Sequence, residues 1–302
     1  MGIDLRNARA YGRAVIAGDQ DLRSLSQQER MRRVLERLET RDYVPVSELA
    51  ESFSVSQVTV RSDLGELARQ GLVARVRGGV RALQQGQSEV GFELRLRLEV
   101  ERKRAIAAAA AAMIGEGESV AIDASTTGYY LALELRSKRE LVVVTNGLLV
   151  ATALADAPGI TVLVPGGMLR LSAMSLVGDF GADVLRATRI NKGFLGARGL
   201  SLERGLMDLN PDEVRIKQEM AGACELVYGI LDGTKWHRSG LLSFAPAEAL
   251  AGIVTDSSAP VDDVEAWRAV GVEVITVEPG PRELPVRPLD LRRAVPQQKA
   301  SG

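Results

Sequence analysis

The chain has 302 residues, of which 46% are hydrophobic and 25% charged, and its formal net charge is −1. This is ordinary globular composition, and the length predicts more than one domain. No apolar run approaches the roughly 20 residues that cross a bilayer, and no hydrophobic segment follows the N-terminal arginines, so neither a membrane span nor a secretory signal is predicted. The single cysteine, Cys224, has no disulfide partner within the chain, and with the single histidine, His237, it offers no metal site. We expect a cytoplasmic protein without a cofactor.

The N-terminal region begins with a segment of weak pattern and continues with helix signals. Residues 1–25 are arginine-rich and are predicted to form an arm of uncertain order. Ser26, with Glu29 three residues later, forms a capping box and predicts a first helix. Ser47 and Ser56 are predicted to cap a second and a third helix.

Residues 55–79 predict a third helix followed by a basic hairpin that turns at Gly78-Gly79. On the helix, Val60, Leu64 and Leu67 occur at positions i, i+4 and i+7, so they are predicted to point into the core. The first turn of this helix is therefore expected to present its small polar and basic side chains outward.

The order of three helices and a hairpin over residues 26–83 is that of a winged helix-turn-helix domain, which binds double-stranded DNA. Arginine pairs with guanine, glutamine with adenine, and serine or threonine reaches bases or phosphates, while wing arginines suit the backbone or minor groove. From position 61 to 83, five arginines and two acidic residues leave a local charge of 5 − 2 = +3. The alternative is a set of ordinary solvated side chains on a small helical domain. The predicted DNA contacts are Ser56, Gln57, Thr59, Arg61, Ser62, Arg75 and Arg77.

The rest of the chain predicts a linker, an α/β domain and a tail. Residues 84–104 are predicted to be a linker with a solvated helical face, and a second DNA contact is the alternative. Residues 105–278 alternate continuous apolar β-branched runs with helical segments, which predicts a mainly parallel sheet covered on both faces. The predicted strands are residues 119–123, 141–145, 160–164, 226–232, 252–256 and 272–277. Residues 279–302 are rich in proline and arginine and are predicted to be disordered.

Several predicted strands end in residues suited to a ligand, and ligands of open parallel sheets bind beyond the carboxyl ends of the strands. Ser125, Thr126 and Thr127 lie between a strand and a helix, where backbone N–H groups and hydroxyls surround an anion. An ordinary helix cap is the alternative for this loop. Glu213 and Lys217, four residues apart, equally fit a surface ion pair.

Two sets of motifs resemble the DeoR family of bacterial transcriptional regulators. The pattern Val-Ser-x-x-Thr-Val-Arg-x-Asp-Leu from Val55, with Arg-Val-Arg-Gly-Gly before position 80, is similar to the family's DNA-binding signature. Ser62 replaces an arginine that is usual there, which leaves Arg61 as the stronger predicted contact. In the second domain, the family's order of motifs is matched by Asp123-Ala-Ser-Thr-Thr, Thr145-Asn146, Gly166-Gly167, Gly178, Phe194-Leu-Gly-Ala, Glu213-x-x-x-Lys217 and Asp232-Gly-Thr-Lys235.

The resemblance covers roughly residues 26 to 277 and implies a sensor domain of the ribose-5-phosphate isomerase and CoA-transferase fold. Such domains typically bind a phosphorylated sugar or a similar metabolite. The implied protein is a nucleoid-associated regulator, more often a repressor, of a carbohydrate operon, and it acts as a homodimer or homotetramer. The effector contacts are expected among Asp123, Ser125, Thr126, Thr127, Thr145, Asn146, Gly166, Gly167, Glu213, Lys217, Asp232 and Lys235.

Isomerisation of a sugar phosphate and oligomerisation are the two alternatives to a sensor function for the second domain. In the related isomerases, acidic residues flank a Gly-Ala turn, whereas Gly196-Ala197 has Leu195 before it and Arg198 after it. Binding without turnover is therefore predicted in place of isomerisation. The third possibility is an oligomerisation domain with a vestigial pocket.

The family more often has glycine at the position of Ser125, which predicts crowding in that loop.

Overall fold

The structure, a computed structural model, describes residues 25–41, 43–69, 73–82, 92–238 and 240–280. The chain divides into two compact units, residues 1–90 and 91–302. The predicted arm, apart from residue 25, and the predicted tail from residue 281 lie outside the described residues. None of the helices described is both long enough and apolar enough to span a membrane.

The first unit consists of helices packed on a small antiparallel sheet. Its elements are α1 (Gln27–Thr40), β1 (Tyr43–Pro45), α2 (Val46–Phe53), α3 (Gln57–Arg69), β2 (Val73–Val76) and β3 (Gly79–Ala82), and the strand order is β1-β3-β2. Ser26 caps α1 as predicted, because its Oγ accepts from the N–H of Glu29 at 3.2 Å. The prediction for Ser47 is wrong: the cap position is Pro45, two residues earlier, and α2 has no side-chain cap. The fixed φ of proline suits the residue that leads into a helix.

The core of this unit is apolar and includes a buried ion pair. Val60, Leu64 and Leu67 are buried, as their spacing predicts. Asp63 on α3 is also buried and accepts two hydrogen bonds from Arg30 of α1, at 2.7 and 3.2 Å. This pair fixes α1 against α3. It also removes one acidic charge from the surface near the hairpin, so the exposed face is more basic than the sequence count of +3.

The second unit contains a seven-stranded parallel sheet in the order β15-β14-β12-β9-β4-β5-β6. Its strands are β4 (Ser119–Ile122), β5 (Leu141–Thr145), β6 (Ile160–Leu163), β9 (Ile190–Leu195), β12 (Cys224–Ile230), β14 (Gly252–Asp256) and β15 (Glu273–Val277). Its helices are α4 (Phe92–Arg97), α5 (Val100–Ala112), α6 (Thr126–Leu135), α7 (Leu148–Leu154), α8 (Ala182–Arg186), α9 (Pro211–Gly222) and α10 (Val261–Ala269). Two hydrophobic clusters are formed by the buried residues of the unit. The predicted α/β class with a separate small domain is confirmed.

Smaller antiparallel sheets accompany the main sheet. One pairs β7 (Met168–Arg170) with β8 (Ser175–Val177), and another has the order β10-β11-β13, formed by Gly199–Ser201, Gly205–Asp208 and Leu242–Ala245. These strands are absent from the predicted ones and have only three or four residues each. Such short segments carry too few residues for a clear alternation of apolar and polar side chains.

The strand β9 lies in the middle of the main sheet but is absent from the predicted strands. Polar residues interrupt its apolar pattern, and the structure pairs them with its neighbours. Lys192 Nζ lies 2.7 Å from Glu118 Oε1, and Asn191 Oδ1 accepts from the N–H of Ser119 at 2.9 Å. Asn191 and Lys192 are thus polar because they contact neighbouring segments at the start of a buried strand. Hydrophobic periodicity alone predicts a loop at these positions.

Part of the predicted linker is built into the second unit. Phe92 and Leu96 of α4 belong to its hydrophobic core. Lys103 of α5 is buried, and its ammonium donates to the carbonyls of Arg95 and Leu98 at 2.5 and 2.6 Å. The charged segment is therefore part of the folded unit from residue 92 onward. Lys103 was predicted to lie on a solvated face, but it is buried.

The order of the main sheet reverses direction between β4 and β9. From β4 the chain builds outward through β5 and β6, and from β9 it builds the other way through β12, β14 and β15. The loops that leave the carboxyl ends of β4 and β9 consequently diverge from a common point. Open parallel sheets bind ligands at such a point.

Candidate DNA-binding and effector sites

The outer face of α3 presents part of the predicted DNA contacts. Gln57, Arg61 and Ser62 are exposed on its first turns. Arg61 donates from Nη2 to Gln57 Oε1 at 3.0 Å, one helical turn away. The guanidinium is therefore held along the helix, with further N–H groups available to an acceptor.

Ser56 and Thr59 have a second role at the start of α3. Ser56 Oγ accepts from the N–H of Thr59 at 3.0 Å, which confirms the predicted cap. The two hydroxyl oxygens also lie 2.9 Å apart. Both hydroxyls thus close the helix N-terminus, and Thr59 is only half-exposed.

The wing arginines lie on the hairpin of β2 and β3. Arg75 and Arg77 are exposed, and the turn depends on Gly78, whose φ is +81°. A β-carbon at Gly79 would lie 2.4 Å from the ring of Tyr43, so the hairpin packs directly on β1. Arg75 Nη1 lies 3.9 Å from the place of a β-carbon on Gly65 of α3. The wing therefore extends the basic surface of this helix.

The loop after β4 combines a helix cap with a buried carboxylate. Ser125 Oγ accepts from the N–H of Gly128 at 2.9 Å and caps α6, so the capping interpretation is correct for this hydroxyl. Thr126 and Thr127 are buried in the first turn of α6. Asp123 is fully buried, and its Oδ1 accepts from the N–H of Ser125 at 3.3 Å.

Lys217 of α9 lies at the centre of the candidate site. Its Nζ is 2.7 Å from Asp208 Oδ2 and 3.0 Å from Asp123 Oδ2, and it donates to the carbonyl of Gly196 at 2.9 Å. Glu213 and Lys217 are both buried, so the alternative of a surface ion pair is wrong. Asp208 was missed by the sequence analysis because it ends β11, a strand that was not predicted.

The charges of this cluster are fixed by their mutual pairing. Burial alone would lower the pKa of Lys217, but the carboxylates of Asp208, Asp123 and Glu213 raise it above the ordinary range. Burial likewise opposes ionisation of Asp208, yet Lys217 lowers the pKa of this carboxyl to about 2. Asp123 Oδ2 is buried and has the Lys217 contact at 3.0 Å, but no hydrogen bond of good geometry within the described residues. Apart from that contact, no donor among the described residues reaches this oxygen.

Glu213 connects α9 to the β7–β8 ribbon. Its Oε1 accepts from Arg170 Nη1 at 3.2 Å and from the hydroxyl of Ser175. Burial raises the pKa of Glu213, with Lys217 opposing the shift. Gly166 and Gly167 have no side chains that could contact Lys217 or its carboxylates. They form the turn into the ribbon, where φ reaches +134° at Gly167 and a β-carbon would lie 2.5 Å from the carbonyl of Val177.

Thr145 and Asn146 are buried at the end of β5 and hold loops together. Thr145 Oγ1 accepts from the N–H of Gly147 at 3.0 Å. Asn146 Oδ1 accepts from the N–H of Ala124 at 3.1 Å, and its Nδ2 donates to the carbonyl of Leu176 at 3.3 Å. The structure thus gives Asn146 a scaffolding role beside the loop of Asp123.

The Asp232 loop lies after β12. Asp232 is buried, and its Oδ1 accepts from the N–H of Thr234 at 3.0 Å. Burial alone would raise the pKa of Asp232, but the charges of Lys235 and Lys103 hold it below the ordinary value. Lys235 is half-exposed, and Asp256, which accepts from the N–H of Gly233 at 2.7 Å, supports this loop from β14.

The loops after β4 and β9 touch where the sheet order reverses. A β-carbon at Gly196 would lie 2.4 Å from Ser125 Cβ and 2.7 Å from its Oγ. The predicted crowding by Ser125 is therefore relieved by the missing side chain of Gly196. Lys217 reaches the same point from α9, so three separate segments meet there.

Both units match known protein families. A family model of the DeoR-like helix-turn-helix domain matches residues 30–86, and the model of the DeoR C terminal sensor domain matches residues 98–257, more than half of the chain. The chain belongs to the DeoR family. It is therefore a DNA-binding transcriptional regulator.

Relatives in this family are similar over most of their length. The putative aga operon transcriptional repressor of Escherichia coli O157:H7 is 33% identical over 251 residues, which cover 82% of this chain and 93% of the relative. The glycerol-3-phosphate regulon repressor of Escherichia coli K12 is 30% identical, with 78% and 94% covered. The transcriptional regulator IolR of Bacillus subtilis is 31% identical, with 73% and 86% covered.

Solved structures are matched more distantly by this DeoR-family chain. Ribose 5-phosphate isomerase A from Neisseria gonorrhoeae has a TM-score of 0.34 and 17% sequence identity, over 44% of this chain and 52% of that one. A likeness of this size carries no argument about chemistry.

Proposed function

We propose that this DeoR-family regulator is a repressor whose affinity for operator DNA is set by a phosphorylated sugar or a related metabolite. The observation that carries the proposal is the meeting of Ser125, Gly196 and Lys217 at the point where the order of the parallel sheet reverses. The names of two relatives, repressors of an aga operon and of a glycerol-3-phosphate regulon, support control of carbohydrate genes.

The anion of the ligand is assigned to the start of α6. Ser125, Thr126 and Thr127 form the cap and first turn of this helix, where free N–H groups and the helix dipole favour a negative charge. The sugar hydroxyls are assigned to Asp123, whose Oδ2 is a buried acceptor beside the ammonium of Lys217. A phosphate at one end and hydroxyl groups at the other fit these two environments.

Binding without turnover is part of the proposal. A base that moves a proton between sugar carbons has to reach the substrate with a free lone pair. Glu213 Oε1 accepts from both Arg170 and Ser175, and Lys217 is an ammonium with three protein oxygens around it. These bonds favour binding over proton transfer for Glu213 Oε1 and Lys217, and the remaining carboxylate, Asp123, is assigned to a ligand hydroxyl beside the Lys217 ammonium.

The route from the ligand to the DNA-binding unit is proposed to run through α6 and α4. Tyr129 of α6 contacts Phe92 of α4 edge to face, with ring centroids 6.1 Å apart. Tyr130 donates from its hydroxyl to the carbonyl of Leu96 at 3.1 Å. The N–H of Phe92 donates to the carbonyl of Ser172, in the loop of the β7–β8 ribbon, at 3.0 Å. These contacts tie α4, the first helix described after the wing, to α6 and to the ribbon, so a shift of either is proposed to move α4.

The response itself is a linkage between two binding equilibria. A metabolite that binds one arrangement of a homodimer or homotetramer better than another shifts the population toward that arrangement. Two winged units whose spacing changes then fit an operator with two half-sites better or worse. The oligomer and its association with the nucleoid are part of this proposal.

Thermal unfolding of the full chain tests the sensor against a vestigial pocket. The panel contains ribose 5-phosphate, glycerol 3-phosphate, other five- and six-carbon sugar phosphates, their unphosphorylated parents and inorganic phosphate. A sensor gains stability from one or more sugar phosphates, because a ligand that binds only the folded state raises Tm. Thr127→Val should reduce the gain, whereas Thr152→Val, whose hydroxyl donates to its own helix at 2.7 Å, should not. An unchanged Tm across the panel contradicts the proposal.

A further inference from the structure

One strongly exposed side chain of α3 is apolar, and its exposure does not contribute to folding. Val58 is 73% exposed, although a β-branched apolar side chain gains nothing from contact with water. It stands between Gln57 and Thr59, in the turn that carries the predicted polar contacts. The core of the unit is complete without it, because Val60, Leu64 and Leu67 fill the buried side of the helix.

We propose that Val58 contacts the 5-methyl group of a thymine in the major groove and helps to determine the operator sequence. The inference rests on the proposed use of α3 as the helix that contacts bases. In the major groove, the thymine methyl is the apolar group that an aliphatic side chain can recognise. The valine side chain has no hydrogen-bond donor or acceptor. It therefore favours thymine, which has the methyl group, over cytosine at the base that it contacts.

The geometry of α3 places Val58 at the centre of the face that would meet the groove. With Val60 set at zero, an advance of about 100° per residue puts Val58 near 160°, opposite the buried side. The same count puts Ser62 near 200° and Gly65 near 140°. Ser62, one turn after Val58, has a small side chain, so the valine stands above its immediate neighbour on this line, and Arg75 lies over Gly65 one turn further along.

The polar neighbours supply what Val58 lacks. Arg61 lies near 100° on the same count, and its guanidinium is already held by Gln57 at 3.0 Å. A bidentate arginine contact and an apolar contact on adjacent positions would specify a step that contains a guanine and a thymine. Arg75, near Gly65, adds charge to the same surface without adding bulk to α3 itself.

The test begins with an operator obtained from the full chain itself. Randomised duplexes are selected for binding to the full-length protein, and each thymine in the selected site is then replaced singly by deoxyuridine, which removes only the methyl group. For the wild type, we expect one position in each half-site at which affinity falls about fourfold, the effect of one methyl group removed from an apolar contact.

The variant Val58→Ala separates this contact from a general effect. It should bind the thymine operator about fourfold more weakly than the wild type and lose the difference between thymine and deoxyuridine at that position. Val261→Ala, at an equally exposed valine of α10 (69%), should keep the wild-type pattern. Circular dichroism spectra of both variants, compared with that of the wild type, check that they are folded. A selected operator whose deoxyuridine pattern is the same for wild type and Val58→Ala overturns the inference, whereas failure to select any operator overturns the proposed role of α3 in binding DNA.

Discussion

Lys217 and Asp208 form a buried ion pair in the second unit, with Nζ 2.7 Å from Oδ2. The ammonium also contacts Asp123 and the carbonyl of Gly196, so one side chain of α9 holds the ends of β4, β9 and β11 together. The ring of Phe244 lies 4.9 Å from Nζ on a further side. The shape of the proposed ligand site therefore depends on a cation that is almost fully buried.

Removing this cation should destabilise the second unit strongly. Lys217→Met leaves Asp208 and Asp123 buried without their counter-charge, and such a loss costs about 3–5 kcal/mol. Both tryptophans, Trp236 and Trp267, lie in this unit, so urea unfolding followed by tryptophan fluorescence reports its free energy of unfolding.

Arg215→Met is the matched control on the same helix. Arg215 pairs with Asp179 at 2.7 Å, but both side chains are more than 60% exposed, and an exposed pair contributes about 0–1 kcal/mol. If Lys217→Met changed the free energy of unfolding no more than Arg215→Met, the central role of the buried cation would be contradicted.

A second buried lysine predicts a dependence of stability on alkaline pH. Burial lowers the pKa of Lys103 from 10.5 to about 7, with the charge of Asp232 opposing the shift. Between these two values the unfolded chain binds more protons than the folded one, so the free energy of unfolding should rise from pH 7 toward pH 10. Below pH 7 both states are protonated, and the full cost of burial is present.

The measurement compares urea unfolding of the wild type and Lys103→Met at pH 7 and pH 9. The wild type should gain stability between the two values, and the variant should gain clearly less because the titrating group is absent. Equal gains in both proteins would show that Lys103 is charged in the folded state at pH 9.

Arg61 is expected to contribute to operator specificity. Arg61→Ala should weaken binding to a selected operator by about 1–3 kcal/mol and relax the preference at one base pair. Arg186→Ala is the control, because it removes an exposed arginine of the second unit, 58% accessible at its side chain. Fluorescence anisotropy with labelled duplex measures both. Operator affinity that is the same for Arg61→Ala and wild type would exclude a base contact by this residue.

The contact between α6 and α4 is expected to transmit ligand binding. Tyr130→Phe keeps the ring but removes the hydroxyl that donates to the carbonyl of Leu96 at 3.1 Å. The affinity for a stabilising sugar phosphate should stay within about twofold, whereas the change in operator affinity that this ligand produces should fall several-fold, a loss of part of a typical coupling free energy of about 1–3 kcal/mol.

Tyr228→Phe is the control for this variant. Tyr228 is a buried tyrosine of the same hydrophobic core, stacked on Phe194 with centroids 5.4 Å apart. It should leave the coupling unchanged. A Tyr130→Phe protein whose operator affinity responds to the ligand as fully as the wild type would contradict the route through α4.

Local patterns allowed much of the fold to be predicted. The core side of α3 and its cap at Ser56 each depend on residues close in sequence, and the structure has them as expected. At the loop after β4, the structure bears out the alternative of a helix cap for Ser125. Periodicity and capping act over a few residues, so one sequence suffices for them.

Contacts between distant segments escaped the sequence analysis. Asp208 gains its role only because β11 brings it to Lys217, nine residues away, and Gly196 matters because Ser125 lies against it. The strand β9 was hidden by polar residues that find their partners some 70 positions earlier. These features depend on contacts with other segments of the fold, which local sequence propensities do not predict.

The most direct test of the whole account is operator binding in the presence of sugar phosphates. A selected operator duplex is titrated with the full chain by anisotropy, without ligand and with each member of the panel. We predict that at least one sugar phosphate changes the dissociation constant between about 5- and 150-fold, the usual range of coupling, while its unphosphorylated parent does not. Thr127→Val should shift this response to higher ligand concentrations. An operator affinity that no member of the panel changes would contradict control by a phosphorylated sugar.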